Sequence, residues 1–207
     1  MDILKSSKVK VIGLLIIVFY IFSPSINGEF LNWDDTIYIL NNPLMYQDIS
    51  LSSFMDFYEY DQHISFVLFS FLVQIKLWGT DPSGFNFINI LIHVINVILV
   101  FKLSIKLFRN SNYAFLISLL FAIHPMKAET VCWIIQRKDL LFSMFYLLGI
   151  LSFIKYLKTE NIIWFIVCII TGYLSVLSKL PGIILPISVI LIEFYLKNRI
   201  STKTIYL

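Results

Sequence analysis

The stretch Asn32-Trp33-Asp34-Asp35 sets two carboxylates side by side in a 207-residue chain that is 58% hydrophobic and 14% charged. Adjacent like charges raise the pKa of one member, and partial burial against Trp33 would raise it further. A carboxylate tuned in this way can act as a general base toward an attacking hydroxyl. The plainer alternative is that the pair hydrates a loop and opens the turn into Thr36-Ile37-Tyr38. Spacing alone does not choose between Asp34 and Asp35.

A second group of chemically able residues lies further along. If 126–138 is helical, Glu129, Trp133, Gln136 and Arg137 share one sector at i, i+4, i+7 and i+8, with Lys127 and Lys138 on the opposite side. A guanidinium grips phosphate oxygens bidentately and an ammonium binds them as a point charge. Such a helix at a membrane surface suits a lipid-linked phosphate, or equally a simple headgroup anchor. His124, ahead of Pro125, reads first as a capping residue. Asp139 can cap the next helix or pair with Arg137 or Lys138, and Lys179 in "LSKLPG" adds a cation near the bilayer edge. His63, His93 and His124 lack metal-ligand spacing, and so do Cys132 and Cys168, so neither a metal centre nor a disulfide is expected.

These residues need a membrane to position them. Mean hydropathy is +0.83, and apolar runs near the ~20 residues of a bilayer crossing recur along the chain. Six spans are expected, at approximately 10–26, 85–107, 113–124, 139–157, 162–178 and 180–196. The first reads as a retained anchor rather than a cleaved signal peptide. Segment 64–78 carries Gln74 and Lys76, ends at Trp78-Gly79, and reads as interfacial.

Charge decides the parity. With 64–78 on one side and a cytoplasmic N-terminus (Lys5, Lys8, Lys10), three later clusters also fall inside: Lys102, Lys106 and Arg109; Lys155 and Lys158; Lys197, Arg199 and Lys203. Residues 27–63 then form one far-side loop with seven of the thirteen acids and no Lys or Arg. A net charge of +3 spread over span ends gives no support to nucleic-acid binding. Asn86, Asn89, His93 and Asn96 line one helix face at i, i+3, i+7 and i+10, which reads as a helix-packing seam. Because most ionisable groups sit at span ends, transport is disfavoured.

The "NWDD" loop, the segment ending "LWG", "NFINILIHVIN", "FAIHPMKAETVCWIIQRKDLL" and "LSKLPGIILP" occur in that order over roughly residues 28–195. Together they resemble the membrane domain of the GT-C glycosyltransferase superfamily. Within it they are most similar to the transmembrane and tetratricopeptide-repeat O-mannosyltransferases and their prokaryotic relatives. The string from His124-Pro125 to Arg137-Lys138-Asp139 is the most specific element.

The resemblance implies an all-α polytopic membrane protein with a lumenal or periplasmic active site. Its N-terminus would be cytoplasmic, in the endoplasmic reticulum membrane of a eukaryote or the inner membrane of a prokaryote. It implies mannosyl or other hexosyl transfer from a polyprenyl- or dolichyl-phosphate donor to a hydroxyl of a protein or glycan. Asp34 or Asp35 would be the base. Arg137 and Lys138, with Lys179 behind them, would hold the donor phosphate, supported by His124, Glu129, Trp133 and Asp139. Superfamily members have more spans, so the chain is expected to be an N-terminal portion, completed by a C-terminal half or a second chain. The alternative is an inactive fragment or accessory scaffold with the same fold. Convergence of Asp34, Asp35 and Arg137 on one cavity would separate the two.

Overall fold

A computed structural model describes residues 2–197, with side chains from Ser7 onward. Arg199 and Lys203, and the side chain of Lys5, therefore lie outside the described residues. The order is α1 (Asp2–Phe22), α2 (Leu51–Tyr60), α3 (Ser65–Trp78), α4 (Pro82–Phe108), α5 (Ser111–Ile123), α6 (Lys127–Cys132), α7 (Arg137–Thr159), α8 (Ile162–Val176) and α9 (Leu185–Lys197). The described residues are helices, short helical turns and loops, with no strand.

The starts of the helices are written locally. Asp81 accepts from Ser83 N with Pro82 at the first helical position, and Asn161 accepts from Ile163 N. Asn110 accepts from both Asn112 N and Tyr113 N, and Ser50 and Ser53 form a reciprocal capping box. Each side-chain oxygen takes an amide that the first turn leaves without a partner. Arg109 and Glu160 close the α4–α5 and α7–α8 hairpins in the left-handed region, at φ 52° and 54°.

Four helices are long and apolar enough to cross a membrane: Ser7–Asn27, Pro82–Phe108, Ile134–Thr159 and Leu180–Lys197. The spans expected at 113–124 and 162–178 correspond to α5 and α8, apolar helices of 13 and 15 residues. At 1.5 Å per residue these rise only ~20 Å, yet they pack between the long helices. The polar stripe of α4 is the seam that its spacing predicts. Asn89 Nδ2 donates to Ile134 O (3.2 Å) and Asn96 Nδ2 to Leu140 O (2.9 Å), so α4 and α7 run parallel. His93 bonds Ala122 O near the end of α5 (3.0 Å), so α5 runs back. Lys10 of α1 meets Ser111 and Asn112 at the start of α5, and Phe22 meets His93 edge-on, so α1 runs alongside α5.

α3 engages one end of this bundle throughout its length. Phe66 N donates to Leu177 O just past α8 (3.2 Å), Phe71 packs at a tilt against Phe85 near the start of α4, and Lys76 reaches Asp48 at 3.3 Å. Residues 27–63 lie at that same end, where Asn86 Nδ2 donates to Gly28 O. Behind them α7, α8 and α9 approach closely. A Cβ on Gly182 would stand 2.6 Å from the backbone of Ser175 and Val176. That contact explains the glycine of "LSKLPG" and fixes where Lys179 stands.

Candidate functional site

The two adjacent acids part company. Asp35 is 0% exposed. Its carboxylate accepts from Leu31 N and, across 100 positions of sequence, from Ile135 N, both at 2.9 Å. Burial pushes its carboxyl above the ordinary aspartate range. The two backbone N–H groups pull the other way, as does the Trp133 indole, which lies close by but outside hydrogen-bonding geometry; the Asp34 charge adds a smaller upward push. Asp34 instead faces outward and pairs with Lys138 Nζ at 3.9 Å, their side chains 29% and 22% exposed. Trp33, expected to bury the pair, is 73% exposed. The cover over Asp35 comes from the second loop. Directly after the acids, Thr36–Leu40 forms a π-type turn, a local widening often found beside functional residues.

The single helix expected over 126–138 is broken. α6 ends at Cys132, Trp133 is extended (φ −98°, ψ 121°), and a tight turn at Ile134–Gln136 leads into α7. Tertiary partners stabilise the break by taking the backbone groups that it frees. Asn89 Nδ2 donates to the Trp133 and Ile134 carbonyls, and Asp35 accepts from Ile135 N. The sector proposed for Glu129, Trp133, Gln136 and Arg137 is therefore not one continuous face, although Gln136 Nε2 still donates to Glu129 Oε1 (3.1 Å).

The break turns Arg137 inward, to 1% exposure. Its Nε donates to Asn89 Oδ1 (2.9 Å), one terminal nitrogen to Ser70 Oγ (3.4 Å), and the other to Gln74 Oε1 (2.6 Å) and Phe85 O (3.3 Å). The plane lies over Phe71, 4.3 Å from the ring centre. No carboxylate pairs with it among the described residues. Arg137 thus rivets α3 to α4 and α7 and presents no donor to a phosphate at the surface. Asp35 and Arg137 are both sealed inside, whereas Asp34 reaches the surface, so the three do not open together.

The outward charges form a row instead. Lys138 meets Asp34, and Asp139, in the first turn of α7, meets Lys179 Nζ at 2.5 Å rather than Arg137 or Lys138. Lys127 belongs to the same set. Burial pushes its ammonium pKa down and the Asp139 charge pulls it back up, while its Nζ sits 4.4 Å above the Phe121 ring. His124 is exposed and accepts from Met126 N (3.3 Å), a turn-closing role. Glu129 is exposed, and Trp133 stands 6.5 Å from Trp33, ring to ring. Among the described residues no cluster of His, Cys, Asp or Glu is placed to hold a metal ion. The arrangement offers two partly exposed carboxylates, Asp34 and Asp139, each with an ammonium beside it, Lys138 and Lys179, and Lys127 along the same end.

Sequence reasoning missed the cage of Arg137: Ser70, Gln74 and Asn89. The available signal was Gln74 itself, a polar residue inside an apolar segment, read only as a mark of interfacial position. Lys127 was not among the candidates either, although it lies at the same end as Lys138 and Lys179.

A family model described as dolichyl-phosphate-mannose-protein mannosyltransferase matches residues 66–207, a stretch that begins after Asp34 and Asp35. Protein O-mannosyl-transferase TMTC1 of Mus musculus is 29% identical over 144 residues, 64% of this chain and 15% of its own length. A protein O-mannosyl-transferase of Caenorhabditis elegans is 32% identical over 178 residues, 79% of this chain and 25% of its own. Protein O-mannosyl-transferase TMTC4 of Homo sapiens is 29% identical over 208 residues, 84% of this chain and 27% of its own. The chain therefore spans about a quarter or less of the curated relatives it matches. No solved structure matches it.

Proposed function

The chain belongs to the dolichyl-phosphate-mannose-protein mannosyltransferase family, and from that membership we propose that it forms the front part of a membrane glycosyltransferase site, with Asp34 as the base. It is an integral membrane protein. In this reading six helices cross, α3 lies along the far face, and the N-terminus is cytoplasmic. The acids of residues 27–63 then face the lumen of the endoplasmic reticulum, or the periplasm in a prokaryote.

The donor is a polyprenyl- or dolichyl-phosphate-linked mannose or other hexose, and the acceptor is a hydroxyl on a protein or glycan. Asp34 takes the hydroxyl proton as the acceptor oxygen bonds to the anomeric carbon. The bond from that carbon to the phosphate oxygen breaks, and the lipid phosphate leaves with the electron pair. Lys138, next to Asp34, and Lys179, on the same rim, neutralise the leaving phosphate. Positioning and fixed positive charge supply the catalysis, since lipid phosphate is a good leaving group once neutralised.

The observation that carries the reading is the division of labour between neighbouring acids. Asp35 is sealed and hydrogen-bonded, whereas Asp34 is accessible beside a lysine. A second reading, an inactive or accessory protein of the same fold, is favoured by the withdrawal of Arg137 from the surface.

Membranes carrying the native full-length product, supplied with labelled dolichyl-phosphate-mannose, separate the two. Asp34→Asn should lower transfer by about 10²- to 10⁴-fold, the range of a lost general base, with thermal unfolding unchanged. Normal turnover in that variant overturns Asp34 as base. Absence of transfer in the unaltered protein would favour the accessory reading.

A further inference from the structure

At the bundle end remote from Asp34, a groove of about 540 Å³ separates the start of α1 from the last turns of α4. Each wall repeats at helical spacing. Lys8 and Ile12 lie one turn apart on α1, and Ile98, Lys102, Ile105 and Lys106 share one face of α4. The groove is therefore apolar along its length and rimmed by three ammonium groups. No carboxylate pairs with Lys8, Lys102 or Lys106 among the described residues.

Other basic residues at this end are already engaged. Lys10 donates to Ser111 Oγ and Asn112 Oδ1 (2.8 and 2.6 Å), and Lys155 lies 3.4 Å over the Trp164 ring. Lys155 and Lys158 are nonetheless near enough for their charges to act on Lys106, which adds to the local positive field.

We propose that this groove binds one anionic phospholipid of the adjoining leaflet, its phosphate headgroup between Lys8, Lys102 and Lys106 and an acyl chain along Ile12, Ile98 and Ile105. Charge complementarity calls for an anion, and the apolar walls call for a hydrocarbon tail covalently attached to it. A free phosphate would leave those walls uncovered. Basic residues at a membrane surface attract anionic headgroups, each adding a modest increment. The site is separate from the proposed sugar-transfer site and does not depend on it.

Native mass spectrometry of the full chain, released from nanodiscs of phosphatidylcholine doped with phosphatidylglycerol, tests the assignment. The unaltered protein should retain one phosphatidylglycerol in preference to phosphatidylcholine. The triple variant Lys8→Gln, Lys102→Gln, Lys106→Gln should lose that preference by about tenfold or more. Ile12→Trp fills the groove while keeping all three charges, and should reduce retention as well. Lys155→Gln with Lys158→Gln, which removes neighbouring charge but no groove residue, should weaken it far less than the triple variant. Equal retention of the two lipids by the unaltered protein overturns the proposal. So does full retention in the triple variant or in Ile12→Trp, which would indicate a diffuse charge effect. Displacement of the lipid by inorganic phosphate would also overturn it, by showing an anion site without a tail.

Discussion

The two ends of the bundle treat charge in opposite ways. At the end carrying residues 27–63, several charges have designated partners. Arg137 has four neutral acceptors, Asp35 two backbone amides, Asp34 has Lys138, and Asp139 has Lys179. At the opposite end Lys8, Lys102 and Lys106 ring an apolar groove without a carboxylate among the described residues. The difference reflects what each end must do. Charge satisfied inside the protein fixes geometry, because an unmet buried group is costly. Charge left to the membrane sets orientation and attracts anionic headgroups, which need no rigid frame.

The largest expected break in this contrast is Arg137→Met. The side chain fills the space, but Gln74, Asn89 and the Phe85 carbonyl lose their donor inside the protein. Each buried acceptor left unmet costs about 1–3 kcal/mol, and here several are stranded at once. Detergent-solubilised protein should melt well below the unaltered chain, with α3 the first segment to exchange its amides. A melting point that did not move would mean that the cage contributes no stability.

Asp35→Ala comes next. It strands the amides of Leu31 and Ile135, at about 1–3 kcal/mol for a buried unmet group, and should free the first loop from the second. Asp35→Asn should be milder, and its comparison with the unaltered protein carries a pH signature. The folded carboxyl lies above its usual value of 3.8, so the folded state holds the proton more tightly than the unfolded chain. The stability this confers is fully present below pH 3.8 and is lost as pH rises through the folded pKa. The unaltered protein should therefore gain stability relative to Asp35→Asn as pH falls toward 3.8 from above. A flat difference across that window would contradict the burial of the carboxylate.

The smallest effect sharpens the contrast. Lys179→Met breaks a half-exposed pair with Asp139, and solvent screening limits the loss to about 0–1 kcal/mol. Unfolding should barely change, while transfer by the full-length product should fall if Lys179 neutralises donor phosphate. A stability loss as large as that of Arg137→Met would place Lys179 among the structural charges.

The helices and their seam were legible because their signals are local. Apolar length and the i, i+3, i+7 and i+10 spacing of Asn86, Asn89, His93 and Asn96 each depend on a few neighbouring residues. The candidate site was legible only as a roster. Asp34, Asp35, Arg137, Lys138 and Lys179 were singled out, but their directions were not readable. The periodicity of 126–138 implied one helix, and the backbone departs from it at Trp133 because Asn89 and Asp35 receive the groups that a helix would have paired.

Composition and periodicity by themselves determined a helical membrane protein with acids gathered before α3 and cations clustered at the ends of apolar runs, since hydropathy and charge act residue by residue. Only the tertiary structure decided which of two adjacent acids is sealed and which is open. It also decided that Arg137 turns inward while Lys138, one residue later, turns out. Neighbouring residues on a helix point about 100° apart, so a one-residue shift in where α7 begins exchanges their roles. That start is set by contacts with Asn89 and Asp35, far away in sequence, rather than by local preference.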